Sequence, residues 1–274
     1  MQTPIVRSGP ANRHRIETLV KRGELTRLHR GVYAFSRLVG TPEVRAAAAL
    51  AAAPDGVVSH DTAAALWGID LVNASGREHV TVPKSRRRAS RSTLVVHASD
   101  LRETDLATVR RIRVTSAPRT LHDLLTTCDR LTAVWAVEQA LRQKLIERAE
   151  LSASLRPVRA REWCALADER SESPLETAVR LVLVDGGLPP PELQIPVQDG
   201  VFRIDLGYRE FSVGIEADGK ETHDRPDAIY ADRWRANALN QLGWRLLRFT
   251  WRDVMARPGY IVASVRAALE SSAA

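Results

Sequence analysis

The stretch that decides the fold runs from Phe202 to His223 and reads FRIDLGYREFSVGIEADGKETH. Polar and apolar residues alternate on both sides of a short turn at 207–210, and period-two alternation is typical of two half-buried strands in a hairpin. In the first strand, Asp205 faces away from the apolar residues. In the second strand, Glu216 and Asp218 share a face, so the pattern predicts three carboxylates on one polar side of the hairpin.

Carboxylates this close repel one another, and each raises the pKa of its neighbours unless a cation lies between them. Hard oxygen ligands on adjacent strands suit an ion of the magnesium type, which takes a few carboxylates and keeps several waters. The same alternation is typical of a solvated outer face of an antiparallel hairpin. Alternation alone does not separate the two interpretations.

A predicted helix begins upstream at Ser173-Pro174-Leu175-Glu176 and continues as an apolar run to Val184. Ser173 is a good N-cap, proline is favoured at the first helical position, and a glutamate three residues after the cap completes a capping box. Capping alone therefore accounts for Glu176. The alternative is that this helix lies beside the hairpin and brings Glu176 to the carboxylates.

Together these fragments resemble the PD-(D/E)XK nuclease superfamily, in its very-short-patch-repair (Vsr-like) branch. The resemblance covers residues 161–274, and these segments carry it: Ser173–Glu176, Arg203–Leu206, Ile215–Lys220, His223, Asp232–Arg233 and Leu242–Phe249. It implies that Asp205 and Glu216 bind a metal ion. It further implies Glu176 as a third acidic ligand, with help from the Ala217 carbonyl.

The chain departs from the superfamily pattern at one position. The superfamily's lysine stands two residues after the second acid, and this chain has Asp218 there, with Lys220 two residues further on. Because this branch often lacks that lysine, the resemblance still implies catalysis but leaves the water-activating group unassigned. Asp218 joins the predicted catalytic set, and we expect Lys220 or His223 to orient water or to stabilise developing negative charge.

Composition predicts a soluble globular protein with ample core. The 274 residues suffice for two or three domains, and 44% are hydrophobic and 27% charged. No apolar run reaches the roughly 18 residues of a membrane span. The first ten residues lack the apolar core of a signal peptide. Two cysteines without a zinc-binding pattern suit a reducing compartment, so we expect a cytoplasmic protein that needs no small-molecule cofactor.

The charge is unevenly distributed along the chain. Residues 1–58 carry 9 Lys and Arg against 4 Asp and Glu, and residues 59–160 carry 17 against 11. Residues 161–274 carry 14 against 18. The front of the chain therefore reads as an electrostatic handle for a polyanion such as DNA, and the acids concentrate where a metal site is predicted. An arginine-rich proteome is the alternative explanation for the basic charge.

Residues 11–35 read as a helix followed by a small basic hairpin that turns at Arg30–Gly31. A winged helix ends in this way. The stretch from Arg22 to Tyr33 resembles the N-terminal winged helix-turn-helix of AbiEi-type antitoxins, which are transcriptional repressors. Residues 41–150 loosely resemble the body that follows it in that family.

This resemblance implies DNA binding by the front of the chain. The candidate phosphate contacts are the basic residues of the helix and hairpin, namely Arg13, Arg15, Lys21, Arg22, Arg27, His29 and Arg30. Strands are predicted at Glu78–Val82 and Thr93–His97, and the loop between them adds a second basic set, namely Lys84, Arg86, Arg87, Arg88 and Arg91. For both sets the alternative is a solvated surface, with the winged helix serving as a protein-interaction module.

Three further expectations concern the middle of the chain. His60 falls in the first turn of a predicted helix, where we expect it to cap or to pack. A helix is predicted at 131–148, with a core stripe along one side. Residues 149–160 change pattern and read as a linker.

The sequence thus predicts an α/β protein of three parts: a winged helix-turn-helix at 1–40, a mixed α/β domain at 41–155, and a restriction-endonuclease-like (Vsr-like) mixed sheet flanked by helices at 161–274. We expect an endonuclease that cleaves DNA with Mg²⁺ or Mn²⁺ and holds it with its front half. The rival hypothesis is a DNA-binding regulator, similar to an antitoxin, whose nuclease fold is inactive. A structural DNA-bridging protein and a homodimer are further options.

Overall fold

The computed structural model describes residues 5–219 and 226–272, and it describes only the backbone at 226–229, 231 and 232. The chain divides into two compact units, Met1–Ala167 and Asp168–Ala274. Both units combine helices with sheets, which confirms the α/β class. The finer division of the first unit at residue 40 stays a prediction. No helix in the described ranges is long and apolar enough to cross a membrane.

The first unit begins with β1 (Ile5–Arg7), α1 (Arg13–Lys21), β2 (Leu25–His29) and β3 (Val32–Phe35). The three strands form an antiparallel sheet in the order β1-β3-β2. The predicted helix and basic hairpin are both present, and the hairpin turns at Gly31, whose φ of +73° favours glycine. The sequence pattern did not indicate β1.

The rest of the first unit surrounds a five-stranded mixed sheet. Its elements are α2 (Pro42–Ala52), β4 (Val57–Val58), α3 (His60–Trp67), β5 (Glu78–Val82), β6 (Leu94–Ala98), β7 (Leu106–Val109), β8 (Ile112–Thr115), α4 (Ala117–Thr127), α5 (Arg130–Arg142), α6 (Arg148–Ser154) and α7 (Val158–Leu166). The strand order is β6-β5-β4-β8-β7. Strands β5 and β6 are parallel, as are β4 and β8.

Two expectations for this unit are wrong. The helix predicted at 131–148 ends at Arg142, because Lys144 takes a left-handed φ of +56° and the Leu145 N–H donates to the Ala140 carbonyl at 2.9 Å, as in a Schellman cap. The segment predicted as a linker at 149–160 contains α6 and the start of α7. Leu151 is fully buried, and this apolar anchor holds α6 in the unit.

The second unit contains α8 (Pro174–Asp185), β9 (Glu192–Val197), β10 (Phe202–Tyr208), β11 (Val213–Ala217), α9 (Pro226–Gln241), β12 (Arg245–Phe249), α10 (Trp251–Ala256) and α11 (Pro258–Ser272). Its strand order is β12-β11-β10-β9, in which β12 is parallel to β11 and the other pairs are antiparallel. Leu175 and Val179 of α8 are buried in one cluster with Leu206 and Ile215 of the hairpin. The helix that carries Glu176 is therefore packed directly against the strands that carry Asp205 and Glu216.

The hairpin turns later than the sequence pattern indicates. Strand β10 continues to Tyr208, whose hydroxyl donates to the Pro189 carbonyl at 2.8 Å. The connection is a helical turn at Arg209–Phe211, followed by Ser212 with a φ of +51°. The strand can continue because Gly207 faces Gly214, and two residues without side chains let the backbones approach closely.

The close approach at Gly207 gives a stability prediction. A Cβ at Gly207 would overlap the carbonyl oxygen of Val213 and would lie 3.2 Å from the Cα of Gly214. Because the obstacle is backbone, Gly207→Ala should lower the free energy of unfolding of the second unit by about 1–3 kcal/mol or more. Urea unfolding followed by circular dichroism measures this change.

The matched control is Gly259→Ala in α11, where a Cβ would meet nothing within 4 Å. Alanine is favoured over glycine in helices by up to about 1 kcal/mol, so this variant should be neutral or slightly more stable. Equal losses of stability in the two variants would contradict the close approach.

Candidate active site

Asp205 and Glu216 lie on adjacent antiparallel strands. The register pairs Leu206 with Ile215, which are the residues directly next to Asp205 and Glu216. The Ala217 N–H donates to Asp205 Oδ2 at 3.0 Å, which fixes the carboxylate against the partner strand.

Glu176 lies in the first turn of α8 and is only 5% exposed. The Ser173 hydroxyl accepts the Glu176 N–H at 3.2 Å, so the predicted N-cap is present. The Glu176 carboxylate accepts two hydrogen bonds at Oε2, from the Glu172 N–H at 2.9 Å and from Gln194 Nε2 at 2.8 Å. The helix start thus both satisfies its own N–H groups and holds Glu176 in a buried position.

The three carboxylates interact with one another electrostatically. Burial raises the pKa of Glu176, of Asp205 and of Glu216 above the ordinary value of each. The negative charge of Asp205 raises the pKa of both Glu176 and Glu216 further. Their negative charges are therefore costly in this place, and a cation among them would relieve the cost.

Two arginines already offset part of this charge. Arg235 Nη1 of α9 lies 2.5 Å from Glu216 Oε1, and Arg248 Nη2 of β12 lies 3.6 Å from Glu216 Oε2. Arg248 is paired with Glu216 in the parallel register of β11 and β12. Both guanidinium groups lower the pKa of Glu216, although burial outweighs them.

Sequence reasoning assigned no role to three residues of this site: Arg235, Arg248 and Gln194. Arg248 could have been found, because a parallel strand next to β11 places one residue beside Glu216. Arg235 could not, because its place depends on how α9 packs. Gln194 lies on β9 with a φ of +54°, and the edge strand predicted there gave no sign of its contact with Glu176.

The remaining predicted site residues have different surroundings. Asp218 follows the last residue of β11 and is half-buried, and its N–H donates to the Phe249 carbonyl at 2.9 Å. The Ala217 carbonyl accepts the Gly219 N–H at 3.1 Å in a tight turn. Lys220 and His223 lie outside the described residues.

The first predicted DNA-contact set is mostly exposed. Arg13 and Arg22 pair with nearby glutamates at 3.3 and 4.0 Å, and both side chains are more than half exposed. Arg15, Lys21, Arg27 and Arg30 are also exposed. His29 differs, because its ring is buried. Its Nδ1 forms a hydrogen bond with Thr93 Oγ1 at 2.9 Å, and its Nε2 lies 3.7 Å from Glu78.

The second predicted set lies on the loop between β5 and β6. Arg86, Arg87 and Arg91 are exposed. Lys84 lies 3.8 Å from Asp100, and the half-buried Arg88 lies 3.9 Å from Asp55. Within this set, Arg86, Arg87 and Arg91 are therefore the arginines most open to solvent.

Comparisons with known proteins support the nuclease resemblance of the second unit. The family model REase_MTES_1575 matches residues 176–269. The C-terminal unit is thus a restriction-endonuclease-like domain. This match spans all three carboxylates, Gln194 and both arginines.

Two proteins of Mycobacterium tuberculosis resemble the chain over nearly its whole length. They are "Uncharacterized protein MT2308" of strain CDC 1551 / Oshkosh and "Uncharacterized protein Rv2248" of strain ATCC 25618 / H37Rv. Each is 30% identical over 268 residues, which covers 92% of this chain and 95% of the relative. The chain belongs to the family of MT2308 and Rv2248. Members of this family thus share both units, because the similarity extends beyond the restriction-endonuclease-like domain.

A solved structure from the same organism is a more distant match. It is described as "Crystal structure of RV2827C protein from Mycobacterium tuberculosis". It matches with a TM-score of 0.41 and 17% identity, over 64% of this chain and 74% of that chain.

The raised pKa values at the acidic site predict a pH dependence. A carboxylic acid with a raised folded pKa binds its proton more tightly when folded, so the unfolding free energy falls as pH rises from its unfolded pKa to its folded pKa. For Asp205 this window opens near its ordinary value of 3.8. In EDTA at pH 7, Asp205→Asn should therefore unfold at the same temperature as wild type or higher, and its stability should change less with pH.

Asp253→Asn in the same unit is the control of opposite sign. Asp253 accepts hydrogen bonds from the Thr250 N–H and hydroxyl at 3.0 and 2.8 Å, and these bonds hold its pKa below the ordinary value. Its stabilisation is present above pH 3.8 and is lost as pH falls, so this variant should unfold at a lower temperature at pH 7. A lower unfolding temperature for Asp205→Asn as well would argue against the repulsive acidic site.

Proposed function

We propose that the second unit is a metal-dependent DNA endonuclease that hydrolyses phosphodiester bonds. One observation carries the proposal: Glu176, Asp205 and Glu216 converge from three elements of a restriction-endonuclease-like domain and interact while largely buried. Burying charged groups is expensive unless they are paired or coordinate a metal. The free-energy cost of burying three carboxylates together favours a functional role for this site.

The donor set fits an ion of the magnesium type. All three side chains offer hard carboxylate oxygens, which Mg²⁺ and Mn²⁺ prefer. Gln194 Oε1 is a buried amide oxygen without a hydrogen-bond partner among the described residues, and the same amide donates to Glu176. Asp205 and Glu216 would hold the ion, with Glu176 as third acid. Such an ion supplies positive charge that polarises phosphate and lowers the pKa of a coordinated water.

Arg235 and Arg248 supply the positive charge that the superfamily lysine would bring, but a guanidinium group does not take a proton from water, so the water-activating group stays unassigned. Guanidinium groups bind phosphate oxygens in bidentate geometry and stay charged at any physiological pH. A DNA phosphate that enters beside Glu216 would find two guanidinium groups within its reach. Cations already in place where negative charge develops stabilise a transition state without further reorganisation.

Hydrogen bonds from the chain position the acids for this role. The Ala217 N–H orients Asp205, and the Glu172 N–H with the Gln194 amide orients Glu176. The carboxylates are therefore oriented before substrate binds. Such preorganisation reduces the cost of reaching the transition state.

We further propose that the first unit holds the DNA, as the AbiEi-type resemblance implies. The exposed arginines of α1, of the β2–β3 hairpin and of the β5–β6 loop support this assignment. Phosphate contacts of this kind give affinity and orientation but carry no sequence information.

The rival function is a DNA-binding regulator with an inactive nuclease fold. The observation in its favour is that Arg235 and Arg248 already offset part of the charge of Glu216 without an ion. Asp218 at the lysine position points the same way. The regulator would bind promoter DNA through the first unit and would cleave nothing.

Asp205→Asn separates the two functions. Asparagine keeps the shape of aspartate and can still accept the Ala217 N–H, but it lacks the charge that holds an ion. We expect cleavage of supercoiled DNA with Mg²⁺ or Mn²⁺ to fall by at least about 100-fold, because metal catalysis is worth several kcal/mol. DNA affinity should change little.

The control is Asp199→Asn, which makes the same change at an exposed turn residue of the same unit with a φ of +52°. Asparagine tolerates this left-handed conformation, so cleavage should match wild type. Wild type that cuts no supercoiled, linear, single-stranded or mismatched DNA with either metal would exclude the endonuclease and favour the regulator.

The DNA-holding role predicts a salt dependence for the full-length protein. Each phosphate contact contributes about 0.9 to the slope of log affinity against log salt concentration. The double variant Arg86→Gln with Arg87→Gln should reduce that slope by up to about 1.8 and weaken binding to all sequences alike. Fluorescence anisotropy with two unrelated duplexes, across a salt series, measures both effects.

Arg156→Gln with Arg161→Gln is the matched control, since both arginines are exposed in the same unit but lie outside the predicted contact sets. This variant should keep the slope of wild type. An equal drop in slope for both double variants would show that total charge, rather than the β5–β6 loop, determines binding.

A further inference from the structure

Three histidines meet inside the first unit, far from one another in sequence. His60 begins α3, His79 lies in β5 and His97 lies in β6. The parallel register of β5 and β6 pairs Thr81 with His97, so His79 and His97 lie on the same face of the sheet, two residues out of step. His60 is brought to them by the Ser59 N–H, which donates to the His79 carbonyl at 3.1 Å.

The ring nitrogens are close enough to share an ion. One nitrogen from each histidine can be chosen so that all three lie within 4.8 Å of one another. His79 Nδ1 and His97 Nε2 are 3.1 Å apart. Two imidazole nitrogens bound tetrahedrally to Zn²⁺ at 2.0–2.1 Å would be roughly 3.3 Å apart. The rings of His60 and His97 stack with their centroids 3.6 Å apart, so the His60 ring would have to turn for all three nitrogens to face one ion.

Two carboxylates lie on the outer side of this cluster. Asp123 Oδ2 is 3.8 Å from His60 Nδ1, and Asp61 Oδ2 is 3.8 Å from His79 Nε2. Metal-binding histidines commonly donate their second ring N–H to a carboxylate, a carbonyl or water, which fixes the tautomer and leaves the other nitrogen for the ion. Hydroxyl oxygens of Ser59 and Ser75 lie 3.0 and 2.8 Å from these same two nitrogens.

Asp123 supplies an independent sign of an ion. It is 4% exposed, and Arg119 Nε donates to its Oδ1 at 2.8 Å. Its Oδ2 is buried without a hydrogen-bond partner among the described residues. Arg119 pairs with the other oxygen, so Oδ2 stays a buried polar atom without a hydrogen bond beside His60, and such an atom is costly.

Packing alone is the competing explanation, because buried histidines often serve as core residues. Packing does not explain the unpartnered oxygen of Asp123. The neutral imidazole is the form that binds metals, and the geometry brings three imidazoles together.

We propose that His60, His79 and His97 form a zinc-type metal site in the first unit, with a fourth position open to water or a carboxylate. Imidazole ligands suit Zn²⁺ and its neighbours in the first transition row, whereas Mg²⁺ prefers oxygen. The site is chemically distinct from the acidic cluster of the second unit. It rests on residues that the proposed endonuclease does not use.

The experiment is zinc binding by the full-length protein after treatment with a chelator. Equilibrium dialysis against Zn²⁺ should give one tight site, and Co²⁺ in its place should show the visible spectrum of a tetrahedral complex. His97→Asn, on the least buried of the three histidines, should weaken zinc binding at least tenfold and abolish that spectrum. Asp205→Asn should keep both, which distinguishes this site from the acidic one.

His29→Asn is the matched control. His29 is also a buried histidine of the first unit, but it lies outside the cluster and is hydrogen-bonded to Thr93. It should bind zinc as wild type does. Wild type without a tight zinc site would overturn the proposal, as would a folded His97→Asn with unchanged zinc affinity. If His97→Asn does not fold, the wild-type Co²⁺ spectrum decides, and an octahedral spectrum or none overturns the site.

Discussion

The register between β10 and β11 determines where the groups of the acidic site lie. Gly207 faces Gly214, and this close pair lets β10 continue to Tyr208 in register with β11. The same register pairs Leu206 with Ile215, the neighbours of Asp205 and Glu216. Because side chains alternate between the faces of a sheet, a slip of one residue would move either carboxylate to the other face and dismantle the site. The Gly207–Gly214 contact thus helps to determine where Asp205 and Glu216 lie, about two residues further along each strand.

The electrostatics of the second unit follow from this placement. Asp205 and Glu216 lie on neighbouring strands with Glu176 nearby. These three carboxylates cannot all be charged and buried without compensation. The chain compensates in part with Arg235 and Arg248, yet the pKa of Glu216 stays above its ordinary value because burial outweighs both cations. The site is therefore neither a neutralised salt-bridge cluster nor a purely acidic pocket. A divalent ion or a phosphate would each change the balance, the first among the carboxylates and the second at the arginines. A metal-dependent nuclease binds both a divalent ion and a phosphate in its active site.

Sequence reasoning reached the parts of this site that local patterns encode. The hairpin alternation and the N-cap at Ser173 depend on residues close in sequence, and the structure has both. It missed the pairing of Gln194 with Glu176 and the approach of Arg235, because both depend on how elements pack. It also missed that Asp218 lies beyond the end of β11, since alternation continues in the letters after the strand has stopped.

The histidine cluster shows the same limit more sharply. His60 read as a residue that caps or packs, and His79 and His97 read as members of two separate strands. Only the parallel pairing of β5 with β6 brings the last two together, and parallel pairing leaves no local trace, because the two strands are not joined by a hairpin. A clue was nevertheless present: a histidine is an unusual choice for a buried strand position, and two predicted strands each carried one. The donor chemistry of the two units also differs, with imidazole nitrogens in one and carboxylate oxygens in the other. Imidazole nitrogens favour zinc and carboxylate oxygens favour magnesium, so the two proposed sites would prefer different ions in the same solution.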